Sequence, residues 1–215
     1  MSLKDFLFNF KHAIFAGACI SFGGTAFLKS SAAIPKFPGI GGFIGAVLFA
    51  FGLIVVVHNK HVLYTGTAGF VTKKTWQMVP ISIIGNLVGC VIMGLMVRYV
   101  QPSLTEVADG IINTRLANGL FKNCILAILC GFIMTEAVYH SKFNGGKYLP
   151  LIFGVPLFIV CGFAHSIADI FYYAMGSTEL LLENAPQIFC IWVSTLVGNF
   201  IGCNVSNKRP LLAQQ

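Results

Sequence analysis

Residues 162–171 read GFAHSIADIF. The flanking stretches, YLPLIFGVPLFIV at 148–160 and FYYAM at 171–175, are apolar enough for a bilayer interior. An imidazole and a carboxylate are costly at that depth, and where they occur they face a bundle interior or a water-filled path. The reading of the fold therefore turns on what His165 and Asp169 are doing inside an apolar run. Four residues apart, they share a helical face if a helix runs through both.

Composition agrees with a membrane setting. The 215 residues are 56% hydrophobic and 10% charged, with mean hydropathy +0.81. Soluble domains carry about 25% charged residues. A span takes about 20 apolar residues. Apolar runs at roughly 9–28, 38–70, 77–100, 116–140, 148–175 and 187–206 use up the chain. One transmembrane domain over 1–215 is expected, with no water-soluble domain beside it. The start, MSLKDFLFNFKHA, has Asp5 and no clear small-residue cleavage site, so the first run reads as a retained span.

The net charge of +7 sits mostly on span flanks, which argues for membrane orientation rather than nucleic acid. With the N-terminus in the cytoplasm, Lys4, Lys11, Lys60, Lys73, Lys74, Lys142, Lys147, Lys208 and Arg209 fall inside. Lys29, Lys36, Arg98, Arg115 and Lys122 fall outside. This bias puts both termini in the cytoplasm. The seven cysteines form no CxxC and no Cys/His ligand spacing. They read as small packing residues, and neither a metal nor another cofactor is expected.

The chain also repeats itself. FKHAIFAGAC from Phe10 resembles FKNCILAILC from Phe121, and GNLVGC from Gly85 resembles GNFIGC from Gly198. Repeat one covers about 9–100 and repeat two about 116–206. Three spans per half is an odd number, so the second half enters from the opposite side. Such inverted repeats are common in transporters, whose solute sites lie near the midplane at broken helices. The second and fifth runs are the interrupted ones. The expected fold is all-α, six transmembrane helices in two inverted three-helix repeats, the second and fifth broken, around an aquaporin-like pore.

LYTGT at 63–67, GNLVGC, GFAHSIADIF followed by AMG, and the closing GNFIGC together resemble the formate/nitrite transporter family, over essentially the whole chain. The resemblance implies a homopentamer in a bacterial inner membrane, each protomer with its own pore. It implies a central histidine, His165, between two apolar constrictions at Phe49, Leu53, Leu63, Tyr64 and Phe158. It places the loop threonine at Thr65 and the vestibular lysine at Lys11; the internal repeat adds Lys122 as the mate of Lys11. The chain departs from the family pattern at Ala164, where Glu is common, at Asp169, where Asn is common, and at Gly131, where a pore-side Asn is expected. The HNKH run at 58–61 is more basic than usual.

The residues themselves suggest roles. His165 can donate to an anion, attract it as imidazolium, or pass it a proton. Asp169 either orients that ring or caps the resumed helix, whose N-terminus favours an acid. Asn86 and Asn199 tie down loose loop backbone, because buried polar groups need partners. Lys11 and Lys122 gather anions at opposite mouths. His58, Lys60 and His61 form either a further anion funnel or an interfacial cluster. Bare charge in a dry ring is expensive, so a small weak acid crosses most cheaply when neutralised. The expected function is a channel or proton-coupled transporter for small monovalent anions, formate first, then nitrite, acetate or hydrosulfide; its partners are that anion, protons and the lipid bilayer. An aquaporin-like neutral-solute channel is the alternative, but no Asn-Pro-Ala motif stands at either break. An intramembrane enzyme would need a catalytic dyad, which adjacent His165 and Ser166 do not make.

Overall fold

The structure is a computed structural model and describes residues 1–143 and 147–206. Lys208 and Arg209, counted above as cytoplasmic cations, lie outside the described residues. Among the described residues, eight α-helices follow in order: α1 (Leu3–Ala33), α2 (Pro38–His58), α3 (Thr65–Ala68), α4 (Met78–Val100), α5 (Thr105–Phe143), α6 (Leu149–Val160), α7 (Ser166–Met175) and α8 (Thr178–Asn204). Among the described residues, five helical stretches are long and apolar enough to cross a membrane. The remaining crossing, the fifth in chain order, is made of pieces, α6 and α7 with a non-helical gap at 161–165. The second crossing is also broken, but unequally: α2 keeps 21 residues and α3 only four. Both interruptions expected in the second and fifth runs are present.

Local chemistry explains the ends. Ser2 and Asp5 form a reciprocal capping box at the start of α1. At the fifth-span break, Gly162 takes φ of +69°. Only glycine adopts that region cheaply, and it turns the chain out of α6. α5 bends at Gly119, where φ is 66° and ψ is −176°. This separates a first segment, 105–118, from the spanning part. No helix is expected from the sequence between the third and fourth spans, from 101 to 115. The sequence there, TEVADGIINTRLAN, mixes charged and apolar residues and lacks a bilayer signature.

The two halves share a packing motif. α4 lies against α1 and α8 against α5. A Cβ added at Gly89 would strike the Ile14 carbonyl, and one at Gly202 the Ile128 carbonyl. These GxxxG faces, Gly85 with Gly89 and Gly198 with Gly202, let helix backbones approach closely, the usual means of association where no water drives burial. Large apolar side chains such as Phe15, Phe22, Phe43, Phe51, Phe121 and Phe153 are turned outward instead. That arrangement suits a lipid or subunit environment.

The contacts also correct the register of the repeat. Asn86 reaches Ala13 O, and Asn199 reaches Ala127 O. Ile14 and Ile128 meet the equivalent glycines. Residues of α1 therefore match residues of α5 that lie 114 positions on. Aligning FKHAIFAGAC with FKNCILAILC sets them 111 apart, three too few. The counterpart of Lys11 is Ile125, and Lys122 corresponds to Phe8. Lys122 is not the repeat mate of Lys11.

Candidate functional site

Each break is pinned by one asparagine. Asn86 Oδ1 accepts the Tyr64 N–H at 2.9 Å, while its Nδ2 donates to Ala13 O and Val62 O. Asn199 Oδ1 accepts the Ser166 N–H at 2.9 Å, and its Nδ2 donates to Ala127 O and Ala164 O. Backbone groups at bilayer depth must be paired, and one buried amide satisfies three of them per half. Two cysteines add a link between halves. Cys90 Sγ lies 3.4 Å from both Gly17 O and Ile167 O. Cys203 Sγ lies 3.4 Å from Thr65 O and 3.5 Å from Gly131 O. Gly131 thus faces α8 and is not a pore-side position. Of the other cysteines, Cys161 and Cys190 are exposed rather than packed.

His165 occupies the N-cap of α7. Its Nδ1 accepts the Ala168 N–H at 3.2 Å. The capping role considered for Asp169 therefore belongs to His165. Because Nδ1 accepts, the hydrogen-bond network assigns the ring proton to Nε2. Nε2 is 3.0 Å from Thr65 Oγ1. The Nε2–H donates to the threonine, whose own hydroxyl hydrogen is left for another acceptor. The two breaks meet side chain to side chain at this bond.

Two cavities lie on either side of it. One, of about 180 Å³, is lined by His165, Asp169, Arg115, Phe49, Phe158 and Phe27 among others. The other, of about 470 Å³, includes Leu53, Leu63, His58, Lys60, His61 and Lys142 in its wall. His61 Nδ1 is 3.1 Å from His12 Nδ1 on α1. Phe27, in the wall of the smaller cavity, is about 22 Å further along α1 at 1.5 Å per residue. The larger cavity is therefore the near vestibule, close to the N-terminal end of α1, and the smaller is the far cavity. On α2, Leu53 faces the near side and Phe49 the far side, one helical turn apart. Phe49 and Phe158 meet edge to face at 6.3 Å, and Phe158 stacks on His165 at 5.6 Å.

Four of the five expected constriction residues, Phe49, Leu53, Leu63 and Phe158, thus line one cavity or the other and are buried. Tyr64 lines neither; its hydroxyl donates to Leu196 O at 2.9 Å, which makes it a brace between the first break and α8. Lys11 is exposed with Nζ 5.8 Å above the Phe15 ring, outside the walls of both cavities, as is exposed Lys122.

Asp169 does not orient the His165 ring. Its Oδ1 receives Nε and Nη2 of Arg115, both at 3.3 Å. Arg115 also donates to Gly162 O at 3.2 Å and Phe163 O at 3.3 Å. The guanidinium fork clamps the second break and neutralises the carboxylate beside it. Arg115 was counted only as a flanking cation in the sequence. The available signal was Asp169 itself, since a carboxylate at bilayer depth calls for a cation.

Comparison with known proteins identifies the family and the fold. A family model described as formate/nitrite transporter matches residues 4–207. The formate channel FocA of Haemophilus influenzae is 27% identical over 189 residues, 78% of this chain and 66% of its own length. FocA of Escherichia coli K12 is 26% identical over 224 residues, 95% and 78% of the two chains. The nitrite transporter NirC of Salmonella typhimurium is 25% identical over 155 residues, 65% and 58% of the two chains. A solved structure described as a pentameric formate channel with formate bound superposes with TM-score 0.82, at 20% identity and full coverage of both chains. That likeness shows the fold. The relatives are channels and transporters, and the protein is not an enzyme. The chain belongs to the formate/nitrite transporter family.

Proposed function

We propose that the protein conducts small monovalent weak acids, formate first, in a bacterial inner membrane, as one protomer of a homopentamer with both termini in the cytoplasm. The observation that carries this reading is the His165–Thr65 hydrogen bond set between two cavities and two apolar bands. Formate and nitrite are the substrates named for similar proteins, and one similar structure is a pentamer.

The chemistry follows from dielectric cost. A bare carboxylate in the dry turn between Leu53 and Phe49 loses hydration that those side chains cannot replace. The basic near vestibule collects the anion. At the breaks, the free Thr65 hydroxyl hydrogen is available to one carboxyl oxygen, and His165 fixes that hydroxyl through Nε2. Protonation of the substrate by water removes the remaining charge before it passes Phe49 and Phe158; the neutral ring, whose Nδ1 accepts from Ala168, donates a hydrogen bond and keeps its proton. Coupling to protons then means that flux rises as the donor side is acidified.

The test is formate flux into proteoliposomes with and without a pH gradient, for wild type and His165→Asn. Asparagine is a strong N-cap residue, so α7 should persist while Nε2 is lost. The expected outcome is a folded pentamer whose flux falls at least about tenfold, or loses its pH dependence. A variant indistinguishable from wild type at every pH refutes the reading.

A further inference from the structure

The near vestibule has more positive groups than a monovalent substrate needs. Its wall includes Lys60, Lys142, His58, His61, Ser141 and Tyr148, and no acidic residue stands among those lining it. The tyrosine hydroxyl holds His58 at Nδ1, and His12 holds His61 at Nδ1. Each ring is thereby oriented, with its Nε2 lacking a protein partner among the described residues. The Lys142 ammonium is 5.4 Å above the Phe70 ring, a contact that leaves its three donors open. Ser141 is 2% exposed, and its Oγ has no hydrogen-bond partner among the described residues. It is one of eight buried side-chain polar atoms without a partner among the described residues, and the one whose residue stands in the wall of this vestibule.

The far cavity supplies the contrast. Among the described residues that line it, the one cation, Arg115, is already engaged by Asp169 and two carbonyls, and its volume is about 180 Å³ against about 470 Å³. Net positive charge, unfilled donors and room coincide only on the near side.

We propose that the near vestibule is a binding site for a multiply charged oxyanion of the inorganic phosphate class, which occupies the mouth of the pathway and does not cross it. Two lysines match two negative charges, and Ser141 with the two imidazoles supplies donors to the remaining oxygens. A dianion is stopped by the apolar wall at Leu53, Leu63 and Val138, which offers it no hydrogen bond. The bound ion therefore plugs the protomer from the near side. As a plug, it rests on the conduction reading above; as a binding site, it does not.

Binding and blockage are tested separately. Equilibrium dialysis of labelled inorganic phosphate against the purified full-length protein in neutral detergent should give saturable binding with a Kd of about 1 mM or tighter. Lys142→Gln and Ser141→Ala should each weaken it about tenfold or more. Lys60→Gln, in an exposed loop, should weaken it too and serves if a helix variant fails to fold. No saturable binding, or binding that all three variants leave unchanged, overturns the site. Phosphatidylglycerol added to the detergent offers the same chemistry on a lipid; if it displaces the phosphate, the site belongs to a headgroup and the soluble-ion assignment is overturned. In proteoliposomes, phosphate on the near side alone should reduce formate flux severalfold. Equal inhibition from both sides overturns the plug. Phosphate binding by a protein that carries no formate would instead overturn the conduction reading and leave the site standing.

Discussion

The two halves of the molecule are alike in scaffold and unlike in chemistry. Asn86 and Asn199 make the same three bonds, Cys90 and Cys203 bridge to the opposite break, and paired glycines seat α4 on α1 and α8 on α5. Yet the first break presents a hydroxyl, Thr65, on a four-residue helix, and the second an imidazole capping a ten-residue helix. The second is clamped by Arg115; the first is held by His12, whose carbonyl accepts the Val62 N–H at 3.4 Å and whose ring meets His61. What repeats is what keeps broken helices stable in a bilayer. What differs is what touches the pathway.

The shared part should fail hardest and equally. Gly89→Leu and Gly202→Leu each drive a side chain into a backbone carbonyl of the facing helix. Each should cost more than about 4 kcal/mol and abolish the assembled protein, read by yield and size-exclusion profile in detergent. Tolerance of one but not the other would break the equivalence of the halves.

The clamp comes next, and it should act on one half only. Arg115→Met strands a buried carboxylate and should cost about 3–5 kcal/mol, read as a lowered midpoint of thermal unfolding. Adding Asp169→Leu to that variant should recover the part of the loss that comes from the stranded carboxylate, while the Gly162 and Phe163 carbonyls that Arg115 held stay unpaired. His12→Ala, on the first break, should cost about 1 kcal/mol, the scale of a single hydrogen bond. If Arg115→Met were as mild as His12→Ala, the asymmetry between the breaks would not be energetic.

The unequal legibility of the sequence has the same physical origin. Spans and breaks could be read because a bilayer demands long apolar runs and punishes loose backbone, so Gly162, Pro156 and HSIAD stand out. The asparagine pair could be read because GNLVGC and GNFIGC keep polar and small residues in fixed places. The α1–α5 register could not. A shift of three residues is close to one helical turn, so apolar identities still overlay, and Lys122 fell opposite Lys11 by that slip. Arg115 escaped because its partner is 54 positions away, a pairing made by the kink at Gly119 and invisible to local pattern. The cap on α7 was one of two roles open to Asp169, because acids favour a helix N-terminus; the imidazole Nδ1 caps instead.

The asparagines give a sharper test of equivalence. Asn86→Ala and Asn199→Ala each unpair the same three backbone groups, at about 1–3 kcal/mol for each group left without a partner, so the two totals should agree closely in chemical or thermal unfolding. A large difference would mean that one break draws on support the other lacks, with Arg115 the first suspect.

The smallest change in stability should carry the clearest change in function. Thr65→Val keeps the shape of the side chain and removes the acceptor of the His165 Nε2–H, 3.0 Å away. The loss is one hydrogen bond, about 1 kcal/mol, and the unfolding midpoint should barely move. Thr65→Ser keeps the hydroxyl and loses only a methyl group. If the hydroxyl serves the passing acid, formate flux should fall several-fold in the valine variant and return in the serine variant, with both proteins equally stable. If instead the methyl group matters, because Thr65 merely fills the space beneath α8, the valine variant should conduct normally and the serine variant should be the impaired one. The two outcomes are opposite in sign, so a single pair of variants decides whether the chemistry of the first break reaches the substrate or ends at His165.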